Sequence, residues 1–271
     1  VTLKTRDGLD LFTRHWTAPD PKALVVLHHG FNDHSGRYIH LAKALNEAGY
    51  SLYAFDWRGQ GRSGGPRGHT PDYESLLDDY GLVIADARRE APGKKVFLYG
   101  HSMGGNIALN YALRHPDGLS GAIITSPQIR LAFTPSAWQL ALARVMANVY
   151  PSFSQKANLD AGGISHDPAV VQAYRDDPLT QGPISAKLFI SIVQAADWAL
   201  AHAADLKIPI LLVHGGADPI TDPKATQEFY ERLTFGDKTF KRYEGLSHET
   251  HNEMDPTVAL KDVVEWLNER A

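Results

Sequence analysis

A serine stands among glycines at Gly100-His101-Ser102-Met103-Gly104, where an apolar run from Lys95 to Tyr99 gives way to a helix-like pattern from Met103 to Arg114. The pentapeptide fits G-x-S-x-G in the strand-to-helix context that the motif needs. A sharp turn there strains the serine backbone and lifts its hydroxyl clear of the sheet. Glycines are required because side chains at those positions would hit the neighbouring strand and helix. The N–H groups at the start of the following helix favour negative charge at the same place. A hydroxyl is a poor nucleophile until a base takes its proton. A histidine held by an acid does this, and the expected chain order is Ser, then Asp or Glu, then His. Asp218 in "LLVHGGADPI" and His248 in "YEGLSHETH" supply them. Each follows a strand-like run, so both should reach the sheet edge where Ser102 emerges, the edge at which open α/β sheets bind ligands. Asp222 is the runner-up acid and His251 the rival base.

The oxyanion of an acyl-transfer intermediate needs backbone donors. One is expected to be the N–H of Met103, the residue after the nucleophile. The other is expected from the "HHGF" loop, where Gly30 permits close approach and the Phe31 N–H is the donor. His29 reads as a structural histidine that bonds this loop. "HHGFNDH" offers His28, His29, Asp33 and His34, but the spacing matches no metal signature and alternate strand residues face opposite ways. No metal and no organic cofactor is expected. "FDWRGQGRSGG" lacks the lysine of a phosphate loop and reads as a tight structural loop beside the oxyanion turn.

The elements that must position these residues alternate. Thr2–Arg6 and Leu9–Trp16 form a hairpin turned at Asp7-Gly8. Ala23–His28, Ser51–Phe55, Lys95–Tyr99, Ala122–Thr125 and Ile208–Val213 are apolar runs suited to strands buried on both faces. Thr239–Tyr243 is a further strand. Helical patterns cover Tyr38–Ala48, Tyr73–Glu90, Met103–Arg114, Pro223–Leu233 and Val258–Glu269. The fold class is therefore α/β, a mostly parallel central sheet with helices on both faces. The rhythm breaks at 127–204, which holds helical pieces such as Trp138–Asn148 and no clear buried strand. That stretch is read as an inserted helical cap on a core made of 1–126 and 205–271. Cap residues Trp138, Leu142, Met146 and Phe189 are expected to line an acyl pocket, and an exposed apolar cap face would rest transiently on a membrane or micelle.

Composition excludes several classes. The 271 residues suit one large domain, and 43% are hydrophobic. A formal net charge of −4 gives no field to attract nucleic acid. Without cysteine there is no disulfide, thiol nucleophile or thiolate metal site. The N-terminal residues are polar and alternating, unlike a signal peptide, and no apolar run approaches the ~20 residues of a membrane span, so a cytoplasmic location is expected.

Several segments together resemble the monoacylglycerol lipase and lysophospholipase branch of the α/β-hydrolase superfamily: "HHGFNDHSGRY", "FDWRGQGRSGG", "GHSMGG", "DPL" at Asp177–Leu179, "HGGADPI" and "YEGLSHETHNE". The likeness runs from about Leu24 to the C-terminus and is weakest across 126–198. It implies the α/β-hydrolase fold and a serine ester hydrolase acting on monoacylglycerol or similar lipid monoesters. Ser102, Asp218 and His248 would then be the triad, with Phe31 and Met103 as oxyanion donors. Arg37 and His251 match family positions near the polar end of the pocket, where they would bind the leaving alcohol through water; the alternative for each is a capping or surface role. The family usually has a small residue at 31 and glutamate at 33; Phe31 and Asp33 depart from this near the alcohol entrance. The alternatives are a short- to medium-chain carboxylesterase, a lysophospholipase, an aminopeptidase whose cap acids hold a substrate ammonium, and, in another class, a non-catalytic small-molecule receptor.

Overall fold

The computed structural model describes residues 2–157 and 160–271. The chain opens with strands β1 (Thr2–Lys4), β2 (Asp10–Trp16) and β3 (Ala23–His28). Helix α1 (Ile39–Glu47), strand β4 (Ser51–Phe55), helix α2 (Glu74–Glu90), strand β5 (Lys95–His101), helix α3 (Met103–Arg114) and strand β6 (Gly121–Thr125) follow. The middle of the chain carries α4 (Ala137–Val149), β7 (Ser154–Lys156), α5 (Pro168–Asp176), β8 (Pro183–Ser185) and α6 (Ala186–Ala201). Strand β9 (Ile210–Gly215), helix α7 (Pro223–Arg232), strand β10 (Lys238–Tyr243) and helix α8 (Thr257–Asn268) complete it. Eight strands form one sheet in the order β1-β2-β4-β3-β5-β6-β9-β10. The first two pairings are antiparallel and the rest parallel.

The continuous apolar runs are explained by two cores, one on each face. Leu24 and Val26 of β3, with Val96 and Leu98 of β5, pack toward α2, α3 and α7. Their neighbours Val25, Leu27, Phe97 and Tyr99 pack toward α1 and α8. A strand with period two therefore needs apolar residues at every position. Each large side chain buried this way contributes about 1.5–3 kcal/mol relative to leaving it exposed.

Register sets the site. His28 pairs with Gly100, His101 with Thr125, and Thr125 with Val213, so β3, β5, β6 and β9 end together. The loops carrying Phe31, Ser102 and Asp218 leave from this edge, as does the loop after β10 that carries His248. Helix α3 starts against the end of β3. A Cβ on Gly104 would lie 2.1 Å from the His28 carbonyl oxygen and 2.4 Å from that of His29. Only glycine fits there, because the opposing atoms are backbone.

Two features of 127–204 differ from the sequence reading. First, β7 and β8 form an antiparallel ribbon with Gln155 opposite Ile184, in a stretch whose sequence shows no clear buried strand. Three-residue strands, one fully exposed, leave no periodic apolar signal. Second, one side of α6 packs on the core while its Ala186 and Ile190 pack on Ala147 of α4. Leu188 and Ile192 of α6 join the cluster around α3, where the Asn106 and Asn110 side-chain amides donate to the Ile192 and Ala195 carbonyls at 3.3 and 3.1 Å. An apolar helix without strands around it reads the same whether it covers a pocket or a sheet.

Gly104→Ala is expected to destabilise the protein by about 1–3 kcal/mol or more through overpacking at His28. Urea unfolding checks this; a wild-type midpoint would contradict the close approach of α3 to β3.

Candidate active site

Ser102 is the residue on which the β5–α3 corner turns. Its φ of +56° and ψ of −121° lie where non-glycine residues rarely go, a strain of about 1–3 kcal/mol that the surroundings must hold. They do so through the backbone: the Ser102 N–H donates to Thr125 O at 3.0 Å, and its carbonyl accepts from Gln128 and Asn106 N–H at 2.9 and 3.1 Å. Met103 begins α3, so its N–H is among the donors without an intrahelical acceptor.

The loop after β3 closes on the serine. A Cβ on Gly30 would sit 3.1 Å from Ser102 Cβ, so the Gly30-Phe31 backbone lies directly beside the nucleophile position. Two donors pin that backbone. Trp57 Nε1–H donates to Gly30 O at 3.0 Å, and His29 Nδ1 faces the same oxygen at 2.9 Å. A carbonyl can only accept, so His29 carries its proton on Nδ1, and its Nε2 accepts from the Trp57 N–H at 3.3 Å. His29 is thus a loop-bonding histidine. The "FDWRGQGRSGG" segment folds as a tight loop around Asp56, whose carboxylate accepts from the N–H groups of Ser35 and Arg62.

On the other side, His248 Nδ1–H donates to Asp218 Oδ2 at 2.7 Å. Asp218 is saturated with donors: the Ile220 and Thr221 N–H groups at Oδ1, and the Thr221 hydroxyl and His214 Nε2 at Oδ2, at 2.8 and 3.1 Å. Burial opposes its charge, but the imidazoles of His248 and His214 and these hydrogen bonds outweigh burial and hold the carboxyl well below its usual range. Burial alone would push the His248 imidazolium down. Asp218 reverses this by charge and hydrogen bond, with Glu249 and Asp33 adding to it, and the net shift is upward. The Ser126 hydroxyl donates to the His248 carbonyl at 2.8 Å and fixes the loop.

A buried polar layer stands behind His248. The Arg37 guanidinium pairs with both Glu249 oxygens at 2.7 Å and with Asp33 at 3.1 Å, and lies 4.8 Å over the Tyr174 ring of α5. His251 stacks on Tyr38 at 4.9 Å and meets His101 edge-on at 4.8 Å; His101 in turn lies 4.8 Å from His248. Burial holds His101 well down and takes His251 to about 4, so both rings beside His248 are neutral at neutral pH.

Ser102, His248, Phe31, Asp33 and Glu249 open on one cavity of about 520 Å³, roofed by Trp138, Leu142 and Phe189. The other residues assigned to substrate from sequence lie elsewhere. Met146 packs against the small cluster of Ala147, Ala186 and Ile190. Arg37 and His251 are not among the lining residues, because the ion pair with Glu249 and the stack on Tyr38 hold them behind the wall. Asp222 caps α7 through the Lys224 N–H and does not meet His248. The sequence reading missed His214, Thr221, Ser126 and Trp57. Only His214 left a signal: a histidine at the apolar end of β9, four residues before the acid.

A family model described as serine aminopeptidase, S33, matches residues 19–255. The chain is 38% identical over 99% of its residues to an abhydrolase domain-containing protein of Dictyostelium discoideum, and spans 29% of that protein's length. It is 35% identical to the monoacylglycerol lipase of Mycolicibacterium smegmatis, covering 93% of this chain and 90% of that one. The crystal structure of the Paleococcus ferrophilus monoacylglycerol lipase superimposes with a TM-score of 0.88 at 36% identity, covering 96% of this chain and 99% of that one.

Asp218→Asn removes the charge that raises the His248 imidazole while keeping the side chain's shape. Its pKa, followed by NMR of the ring, should fall by about one unit or more; an unmoved titration would contradict the assigned cause.

Proposed function

The chain belongs to the S33 family of α/β-hydrolases, beside the monoacylglycerol lipases, and is a carboxylic ester hydrolase; from that membership we propose that it cleaves monoacylglycerols or similar lipid monoesters with Ser102, Asp218 and His248. The observation that carries this reading is the 2.7 Å bond from His248 to a fully buried carboxylate, on the sheet edge where the strained Ser102 opens into an apolar cavity. His248, held by Asp218, takes the Ser102 proton as the hydroxyl attacks the ester carbonyl. The tetrahedral oxyanion is received by the N–H groups of Phe31 and Met103, a donor of this kind being worth about 3–4 kcal/mol. His248 then protonates the leaving alcohol, and afterwards takes a proton from the water that attacks the acyl-serine.

The acyl chain would lie under a cap formed by the part of 127–204 that precedes α6. Its lining there includes Phe133, Trp138, Leu142 and Phe153. The acids Asp167, Asp176, Asp177 and Asp197 of 127–204, which an aminopeptidase would turn toward a substrate ammonium, are not among the lining residues, and Asp160 faces a separate, polar cavity. This favours an ester with an apolar acyl group. Along α4, Trp138, Leu142, Val145 and Val149 are exposed at 45–77%, at spacings that share one helix face. We propose that this face meets a membrane or micelle surface during substrate uptake. Among the described residues no helix is long and apolar enough to cross a membrane.

Ser102→Ala should lower kcat by on the order of 10⁴-fold or more without moving the melting temperature downward; turnover near wild type would remove the nucleophile. Because His248 must be neutral to act as base and its pKa is raised, kcat/KM should rise with pH through a limb centred above about 6.5. A limb centred well below that value would contradict the role of Asp218. A series of p-nitrophenyl esters from acetate to palmitate, run beside monoacylglycerol and lysophospholipid, should favour medium or long chains; a sharp optimum at acetate would point to a short-chain esterase.

A further inference from the structure

The carboxylate of Asp218 serves two imidazoles. His248 Nδ1 and His214 Nε2 approach the same oxygen, Oδ2, at 2.7 and 3.1 Å. His214 ends the apolar run of β9 and is wholly buried. A buried histidine side chain in such a place needs partners for both nitrogens. Its Nδ1 lies 2.8 Å from the Thr226 hydroxyl of α7. The proton positions follow from these partners. An ionised carboxylate only accepts, so Nε2 carries a proton. Thr226 then donates to Nδ1, and the ring is anchored from both sides.

Three groups thus compete for Oδ2: His248, His214 and the Thr221 hydroxyl. Thr221 has one proton and a second acceptor, the Ser126 carbonyl at 3.1 Å. When it turns to Ser126, the two imidazoles share the oxygen. The second donor fixes the carboxylate plane in which His248 is held. It also draws electron density from Oδ2, which weakens the pull of that oxygen on the His248 proton.

We propose that His214 is a positioning residue of the ester hydrolase, acting through Asp218 to orient His248 and to moderate its basicity. This rests on the assignment of Ser102, Asp218 and His248 made above. The ionisable and charged groups facing His248 from neighbouring elements are Asp218, His101, His251, Glu249 and Asp33. Only Asp218 among them is bonded to His214, at 3.1 Å; the uncharged Thr221 hydroxyl lies 3.3 Å from both His214 Nε2 and His248 Nδ1, so a change at residue 214 reaches His248 through Asp218 and the threonine bonded to it.

The experiment compares the pH dependence of kcat/KM for wild type, His214→Leu, His214→Gln and Thr226→Val, on one p-nitrophenyl ester. Leucine removes the donor, and glutamine places an N–H where Nε2 stood. Without the second donor, Oδ2 holds the His248 proton more tightly. The acid limb of His214→Leu should therefore move up by about half to one pH unit, with KM within about twofold of wild type. His214→Gln should bring the limb back toward the wild-type position. A residue that only filled space would lower the melting temperature in the leucine variant and leave the limb in place, and that result would overturn the proposal. If His214→Leu does not fold, Thr226→Val decides, since loss of the ring's anchor should move the limb in the same direction; an unmoved limb overturns the proposal. Labelling with a serine-directed organophosphonate keeps the two assignments apart. Label absent from Ser102 in the wild type defeats the triad itself, whereas label on Ser102 with an unmoved limb defeats only His214.

Discussion

The site depends on how closely α3 can approach the end of β3. Gly104 sits against two backbone carbonyls, at a distance no side chain tolerates. That approach puts the first turn of a helix against the loop after β3, and Ser102 is the residue left to make the corner. Its positive φ is held by hydrogen bonds from β6 and the following loop, not by its own side chain. The hydroxyl is therefore free for chemistry. The N–H of Met103 and the Gly30-Phe31 backbone are held next to it by the same packing. A strained residue persists only where its neighbours over-determine it, and here the groups bonded to it are backbone of β6, α3 and the loop after β6.

The second half of the site rests on charge in a dry place. Asp218 is buried, which by itself would favour its neutral form, but five donors at 2.7–3.1 Å surround it. The result is a fixed anion that raises the His248 imidazole against the pull of burial. The neutral rings of His101 and His251 flank that imidazole without adding charge. Farther back, the Arg37–Glu249 pair joins the loop that carries His248 to the loop that carries Phe31. Breaking such a pair leaves an unpaired buried charge, which costs several kcal/mol. The two halves of the proposed machinery are thus tied together behind the cavity wall, and Tyr174 of α5 leans on the same guanidinium.

The central sheet was legible because strands buried on both faces read as unbroken apolar runs, and because Gly30, Gly49 and Gly93 punctuate them. Ser102 was legible because its turn needs glycines at fixed offsets. Asp218 and His248 could be named because each follows a strand that ends on the same edge. What stayed hidden has a common cause. Arg37 and His251 looked like pocket residues, but polar side chains at a loop can turn inward to one another, and no spacing reveals the ion pair with Glu249 or the stack on Tyr38. Met146 shares a helix with Trp138 and Leu142 and packs against Ala186 and Ile190 of α6 without lining the cavity. Helix α6 itself, apolar and lacking a strand partner, gave no sign that its asparagine-bonded side belonged to the core.

The central claim is that an ester's acyl group passes through the Ser102 oxygen. Mass spectrometry of enzyme quenched in acid during turnover of a monoacylglycerol tests it most directly. The account predicts the acyl mass on the peptide that contains Ser102, decaying as substrate is exhausted. Turnover with no acylated peptide, or with the acyl group on a different residue, would contradict it.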